Sequence, residues 1–156
     1  MKVILLSFHW KIVGFILLLA GIFLAILFFM FDFRFTIPVF AVYSAFFETK
    51  VFTIIRTNFA DELTMLTLMA GLALVAFSKE RKEDAEFNIF RIKALYKAIT
   101  INTIILLASV IFIFGSGFMA VMVVNIFLTL ILYLVFYYFQ ITRKRLNDRM
   151  LENQQF

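Results

Sequence analysis

Residues 98–139 read AITINTIILLASVIFIFGSGFMAVMVVNIFLTLILYLVFYYF, with an uncharged apolar run on either side of a Gly-Ser-Gly sequence at 115–117. A membrane-spanning helix needs about 20 mostly apolar residues, because each residue rises about 1.5 Å through a hydrocarbon core of about 30 Å. Residues 98–115 and 118–139 both meet this requirement. Since the glycines favour a tight turn, the two runs are predicted to form an antiparallel helical hairpin.

Two earlier runs, residues 13–31 and 60–78, are also long and apolar enough to span a membrane. Asn58 can cap the second of them, where Asp61 and Glu62 place negative charge on the first turn. With 64% hydrophobic and 16% charged residues, the chain is far from the composition of a soluble domain. The sequence therefore predicts one all-α integral membrane domain with four transmembrane helices.

The basic residues predict the orientation of these helices. Twelve of the fifteen lie before the first run, in the loop 79–97, or in the tail that follows the fourth run. Only Arg34, Lys50 and Arg56 remain for the other side. Because basic residues are enriched in cytoplasmic segments, both termini and the loop 79–97 are predicted to be cytoplasmic.

The outer segment, residues 32–59, is rich in aromatic residues and carries few charges. It is too aromatic for a solvated loop. We expect it to lie along the outer membrane–water boundary, where aromatic rings are favoured, or to fold over the helix ends. Pro38 disfavours a helix through its own position.

The loop 79–97 and the tail 140–156 are predicted to be helical extensions of spans three and four. Ser78 can cap a helix that starts at Lys79 and runs into span three. Acidic residues in the loop oppose basic residues in the tail, so an antiparallel pair can project into the cytoplasm. Two amphipathic segments lying on anionic lipid are the alternative. The expected buried contacts of the projecting pair are Ile89, Ile92, Leu146 and Met150.

Phe87 and Phe90 are predicted to remain on the outside of that pair. Exposed aromatic side chains are frequent anchors at protein interfaces. These two phenylalanines are therefore the candidate residues for binding a protein partner.

Three polar residues inside the spans are candidate intramembrane contacts: Asn102, Ser109 and Asn125. Counted along the antiparallel helices, Asn102 is expected in the inner third and Asn125 in the outer half, nearer the depth of Ser109, so the two amides are not expected to meet. They can line a polar pathway or form hydrogen bonds between helices. Gly21 with Ala25 has the spacing of a close helix contact, within the chain or between copies.

Catalytic chemistry is not indicated. The single histidine, His9, stands beside Trp10 and is interpreted as an interfacial side chain, because a lone ligand makes no metal site. The chain has no cysteine and no glycine-rich phosphate loop, and it has no paired acids within a span apart from Asp61 and Glu62 at the start of the second. We therefore expect no enzymatic activity, no cofactor and no metal.

Several strings of residues carry a resemblance: AFSKERKED at 76–84, FRIKAL at 90–95, VFAVYS at 39–44, and Asn58 with DEL at 61–63. In these the chain resembles a group of small four-span bacterial inner-membrane proteins of unknown function, often encoded beside a small helix-turn-helix regulator. The resemblance implies membrane-linked regulation and a bacterial inner-membrane location. It brings no site residues.

Three functions are compatible with these patterns. The leading one is a binding or regulatory module that presents cytoplasmic helices to a protein partner. A transport or channel component, which requires a water-lined cavity reaching Asn102 or Asn125, and an accessory subunit of a larger membrane complex are the alternatives. The expected partners are the lipid bilayer and a protein or a second copy of the chain, without direct binding of nucleic acid.

Overall fold

The computed structural model describes residues 4–45, 49–81, 83–84 and 86–154, and these are mostly helical. Four helices are long and apolar enough to cross a membrane, which confirms the four-helix prediction and indicates a multi-pass membrane protein. The elements are α1 (Phe8–Phe31), β1 (Thr36–Ala45), β2 (Thr49–Asn58), α2 (Ala60–Phe77), α3 (Phe87–Phe112) and α4 (Ser116–Gln154).

The chain divides into two compact units. The bundle unit comprises Met1–Gly14 and Leu72–Phe156, and therefore contains α3, α4, the start of α1 and the end of α2. The hairpin unit, Phe15–Gly71, contains β1, β2 and the remaining parts of α1 and α2.

In the hairpin unit, the segment between α1 and α2 is a two-stranded antiparallel sheet, a conformation that the sequence analysis did not predict. Thr36 pairs with Asn58 at the open end, and Phe40 pairs with Ile54 further along. Both strands are rich in β-branched and aromatic residues, which favour extended backbone. Pro38 lies within β1, in agreement with its expected incompatibility with a helix.

One side chain joins the sheet to α2. The Asn58 Oδ1 accepts a hydrogen bond from the Ala60 N–H at 3.3 Å and a second from the Phe35 N–H at 3.1 Å. The first bond is the predicted helix cap, and the second ties both strands to the helix start. In the same unit, a Cβ added to Gly21 would come within 2.8 Å of Leu68, so this glycine allows α1 and α2 to approach closely within one chain.

In the bundle unit, α3 and α4 pack as an antiparallel pair. Ala94 and Ala98 are completely buried, one turn apart on α3. Tyr133, Tyr137 and Ile141, at the same four-residue spacing on α4, are buried in the same cluster. Small residues on one helix thus make room for large rings on the other, as expected for packing between membrane helices.

The turn of this helical hairpin comes earlier than predicted. Helix α3 ends at Phe112, Ile113 is extended, and Gly115 has a φ of +67°. That conformation is unfavourable for any residue with a Cβ, so Gly115 is the position that requires glycine. The next residue, Ser116, already belongs to α4.

The loop after α2 does not start a helix at Lys79, contrary to prediction. The Ser78 hydroxyl donates to the Leu74 carbonyl at 2.5 Å and so belongs to the end of α2. The Lys79 N–H donates instead to the Leu6 carbonyl at 2.9 Å, in a short bridge beside the start of α1. Helix α3 therefore begins only at Phe87.

Candidate functional site

The most densely charged part of the bundle unit surrounds residues 80–86, which we call the acidic segment. It contains Glu80, Glu83, Asp84 and Glu86. Glu80 forms an ion pair with Lys11 at the start of α1. Both side chains are more than nine-tenths buried. A pair in such surroundings is costly to form, and even more costly to leave with one partner missing.

A second ion pair joins Glu83 to Arg91 of α3. The Arg91 guanidinium donates to both oxygens of the Glu83 carboxylate and to the Asn88 side chain. Burial raises the pKa of Glu83, but the hydrogen bonds from Arg91 and from the Glu80 N–H outweigh burial and hold it below its ordinary value. Glu83 is therefore ionised at neutral pH, and Arg91 stays paired.

The third cation is Lys144 of α4. Its ammonium group lies 2.5 Å from an oxygen of Asp84 and 2.7 Å from an oxygen of Glu86. The acidic segment thus supplies carboxylates to one cation from each of three helices, α1, α3 and α4. Of the basic tail residues that are predicted to oppose the acidic segment, Lys144 forms these ion pairs.

Each of the three cations also lies over an aromatic ring. The distances to the ring centroids are 5.0 Å from Lys11 to Tyr138, 5.2 Å from Arg91 to Tyr137, and 5.9 Å from Lys144 to Phe87. A cation above a ring face is attracted by its negative potential, most strongly where water is excluded. The rings and the carboxylates together hold this end of the bundle.

A polar groove of about 460 Å³ opens beside Lys144, between the start of α3 and the far end of α4. Arg143 on its wall is exposed. Charged side chains of both signs and two side-chain amides line the groove, so these groups can form hydrogen bonds and ion pairs with a bound peptide. The lining residues are Glu86, Phe90, Gln140, Arg143, Lys144, Asn147 and Asp148.

Beyond the groove, the final part of α4 carries exposed apolar side chains. Leu146, Met150 and Leu151 are each more than half exposed. On α3, Ile89 and Ile92 are also about half exposed. The prediction that Ile89, Ile92, Leu146 and Met150 are buried in a helix pair is therefore wrong, because α3 starts too late to accompany the end of α4.

The two candidate partner-binding residues have different surroundings. Phe87 is 5% exposed and belongs to the buried cluster, so the prediction that it stays on the outside is wrong. It is the first residue of α3, and its ring lies under the Lys144 ammonium. Phe90 is partly buried against the same cluster and lines the groove.

Within the α3–α4 pair, Asn102 and Asn125 meet, contrary to prediction. Each amide donates to the carbonyl oxygen of the other, at 3.3 and 3.1 Å. Asn102 lies ten residues before the end of α3 at Phe112, and Asn125 nine residues after the start of α4 at Ser116, so the two are at nearly the same distance from the turn. The error came from placing the turn, and thus the helix ends, too late in the sequence.

Ser109 does not join this amide pair, because its hydroxyl donates to the Ile105 carbonyl in its own helix. Ser109 and Asn125 do line a cavity of about 290 Å³. The other five lining residues are apolar: Ile105, Ala120, Val121, Val124 and Leu128.

Sequence reasoning missed the buried roles of Lys11 and Arg91, although a signal was present. Arg91, Ala94, Ala98 and Asn102 recur at the spacing of one helix face. In a helix surrounded by lipid, small and polar residues mark the packed face, whereas the apolar stripe faces outward. The prediction had assigned burial to the apolar stripe, as is appropriate for a helix in water.

No group of three or more histidine, aspartate and glutamate side chains is placed to hold a metal ion in the part of the chain that the structure describes. His9 is exposed, as is the neighbouring Trp10. Comparisons with protein-family models, curated proteins and solved structures find no match to this chain. Function must therefore be inferred from the residues and their geometry.

Proposed function

We propose that the protein is a non-enzymatic membrane module that presents the charged end of its bundle to a protein partner in the cytoplasm. The observation that carries this proposal is the length of α4. Its 39 residues extend about 58 Å at about 1.5 Å per residue, nearly twice the hydrocarbon thickness of about 30 Å. This length supports a position outside the membrane for the last part of α4.

The surface of this projecting part supports binding. Since α3 has 26 residues and shares the Gly115 turn with α4, the excess length of α4 lies at the charged end. Leu146, Met150 and Leu151 offer apolar contacts there, beside the polar groove. Apolar anchors surrounded by polar groups are the usual composition of a protein interface.

The distribution of basic residues supports a cytoplasmic position for this surface, and the resemblance to small bacterial proteins supports the bacterial inner membrane. Single cysteines at Lys50 and Gln154 test the orientation. In intact spheroplasts, we expect an impermeant maleimide to label the first and not the second. Labelling of both positions from the same side would exclude this topology.

Site-specific photo-crosslinking from position 146 in growing cells tests partner binding. We expect a defined protein adduct from position 146, and the same adduct when the crosslinker is placed at position 151. With the crosslinker at 151, the variant Leu146→Ser/Met150→Ser should lose this adduct, while the amount of membrane-inserted protein is unchanged. The matched control Arg145→Gln/Arg149→Gln changes the charge of the same turns and should keep the adduct. Adducts with lipid alone, or loss only in the arginine variant, would favour a tail lying on anionic lipid and contradict the proposal.

A transport or channel role is the second candidate, and the cavity beside Ser109 and Asn125 is the observation in its favour. Its mostly apolar lining makes it a poor path for water or ions. An accessory subunit of a larger complex would give adducts with other integral membrane proteins, so the crosslinking experiment distinguishes this third role as well.

A further inference from the structure

The two faces of the β1–β2 sheet differ most near the open end. On one face, Ile37, Val39 and Ile55 are half-buried. Only further from the open end is a described apolar residue of this face, Val51, exposed, at 55%. The other face presents four large apolar side chains that are between 57% and 72% exposed. These define the apolar face of the sheet: Phe40, Val42, Phe52 and Ile54.

Such a face would be unfavourable in water. A lone two-stranded sheet is at best marginally stable there, and exposed apolar patches of this kind mark interaction surfaces. The backbone adds a cost, because Phe52 has a φ of +52°, which is rare for a bulky residue. Its ring lies 6.3 Å from that of Phe40, and both residues of this ring pair remain more than 60% exposed.

We propose that this apolar face inserts into the interfacial layer of the phospholipid bilayer that the protein spans. The first reason is the short tether. Four residues separate Phe31 of α1 from Thr36 of β1, and one residue separates Asn58 of β2 from Ala60 of α2. Four extended residues reach at most about 14 Å.

Hydrogen bonds shorten this connection further. The Phe33 N–H donates to the Leu27 carbonyl of α1 at 3.3 Å, and the Phe59 N–H donates to the Phe35 carbonyl at 3.0 Å. The open end of the sheet is therefore held next to the ends of two membrane helices. Phe29 and Phe31 at the end of α1 are themselves largely exposed, as expected for side chains that face lipid next to the open end of the sheet.

Charge is the second reason. Neither strand contains an acidic residue. Arg56 is exposed on the same face as Ile54, two residues closer to the open end of the sheet. Aromatic and aliphatic side chains beside an arginine are the usual composition of a surface that rests among phospholipid headgroups, with the cation near phosphate. This inference requires only that the helices cross a bilayer and does not depend on the proposed cytoplasmic partner.

Depth-dependent fluorescence quenching tests the proposal on the full-length protein. The single tryptophan is first replaced, Trp10→Phe, and Ile54→Trp or Ile55→Trp is then introduced. These neighbours are the same residue type on opposite faces, which makes Ile55→Trp the matched control. Each protein is reconstituted into vesicles of phosphatidylcholine and phosphatidylglycerol, with or without bromine on the acyl-chain carbons close to the headgroups.

We expect Ile54→Trp to emit at shorter wavelength than tryptophan in water and to be quenched several-fold more by brominated lipid than Ile55→Trp. Water-like emission without lipid quenching would overturn the proposal. Blue-shifted, unquenched emission that depends on protein density would also overturn it and would assign the face to a second copy. Phe52→Trp provides the same measurement should Ile54→Trp fail to fold.

Discussion

The two hairpins of this protein both expose apolar side chains but differ in the residues on their inner faces. In the helical hairpin, the inner face of α3 consists of small and polar residues such as Ala94, Ala98 and Asn102, and apolar side chains such as Ile99 and Ile104 face outward. In the strand hairpin, Asn58 ties the open end, and apolar side chains are also on the exposed face.

The comparison shows what apolar character means in each setting. In water, an apolar stripe indicates the core. Beside lipid there is little hydrophobic force between helices, so close packing and polar contacts select the inner face instead. In the helical hairpin, the interior is therefore found by following small and polar residues, whereas in the strand hairpin both the half-buried face and the exposed face carry apolar side chains.

Removing one partner from a buried ion pair should have the largest effect. We expect Glu80→Ala to lower the free energy of unfolding by about 3–5 kcal/mol, because it leaves Lys11 buried without a counter-charge. The matched control in the hairpin unit is Arg34→Ala, whose pair with Asp32 is mostly exposed and should contribute at most about 0.2–1 kcal/mol. Unfolding in mixed detergent micelles measures both.

The double variant Lys11→Met/Glu80→Met completes this experiment. It removes both charges and should recover most of the stability, because similar apolar residues can replace a buried pair at little cost. Equal losses for Glu80→Ala and Arg34→Ala would show that the bundle pair behaves as a surface pair and would remove this part of the contrast.

Enlarging a small residue on the inner face of α3 should have an intermediate effect. Ala98 is completely buried against α4, so Ala98→Phe should cost about 1–3 kcal/mol through overpacking. The neighbouring Ile99 is half exposed, and Ile99→Phe should change stability by less than about 0.5 kcal/mol. The same unfolding measurement applies, and a greater loss from Ile99→Phe would mean that the inner face has been assigned wrongly.

The amide pair should have the smallest effect. A double-mutant cycle of Asn102→Leu and Asn125→Leu should give a coupling of about 0.6–1 kcal/mol, as is usual for hydrogen bonds between membrane helices. Thr103 bonds to its own helix, so a cycle of Thr103→Val with Asn125→Leu should give no coupling. Additive effects of the two asparagine substitutions would contradict the contact.

The sequence was sufficient for the four helices and for the tight turn, because length and hydropathy decide which segments can cross a bilayer. It was insufficient for the contacts of Asn102 with Asn125, where a shift of a few residues in the turn changed the relative depths. The strands were not predicted because aromatic residues are favoured both in β-strands and at the membrane–water boundary, so the composition of residues 32–59 is compatible with either. The late start of α3 depends on contacts with Leu6 and Lys11, which are distant in sequence.

The acidic segment has a consequence for the order in which the protein is made. Lys11 emerges from the ribosome 69 residues before Glu80, whereas Lys144 emerges 60 residues after Asp84. Lys11 therefore has no Glu80 to pair with until α1, the two strands and α2 have been synthesised. Until then, we expect its ammonium group to be directed to the membrane surface. Arg91, only eight residues from Glu83, can pair almost at once. The residues that pair with the acidic segment are therefore synthesised at three different times, and Lys144 of α4 is the last of them.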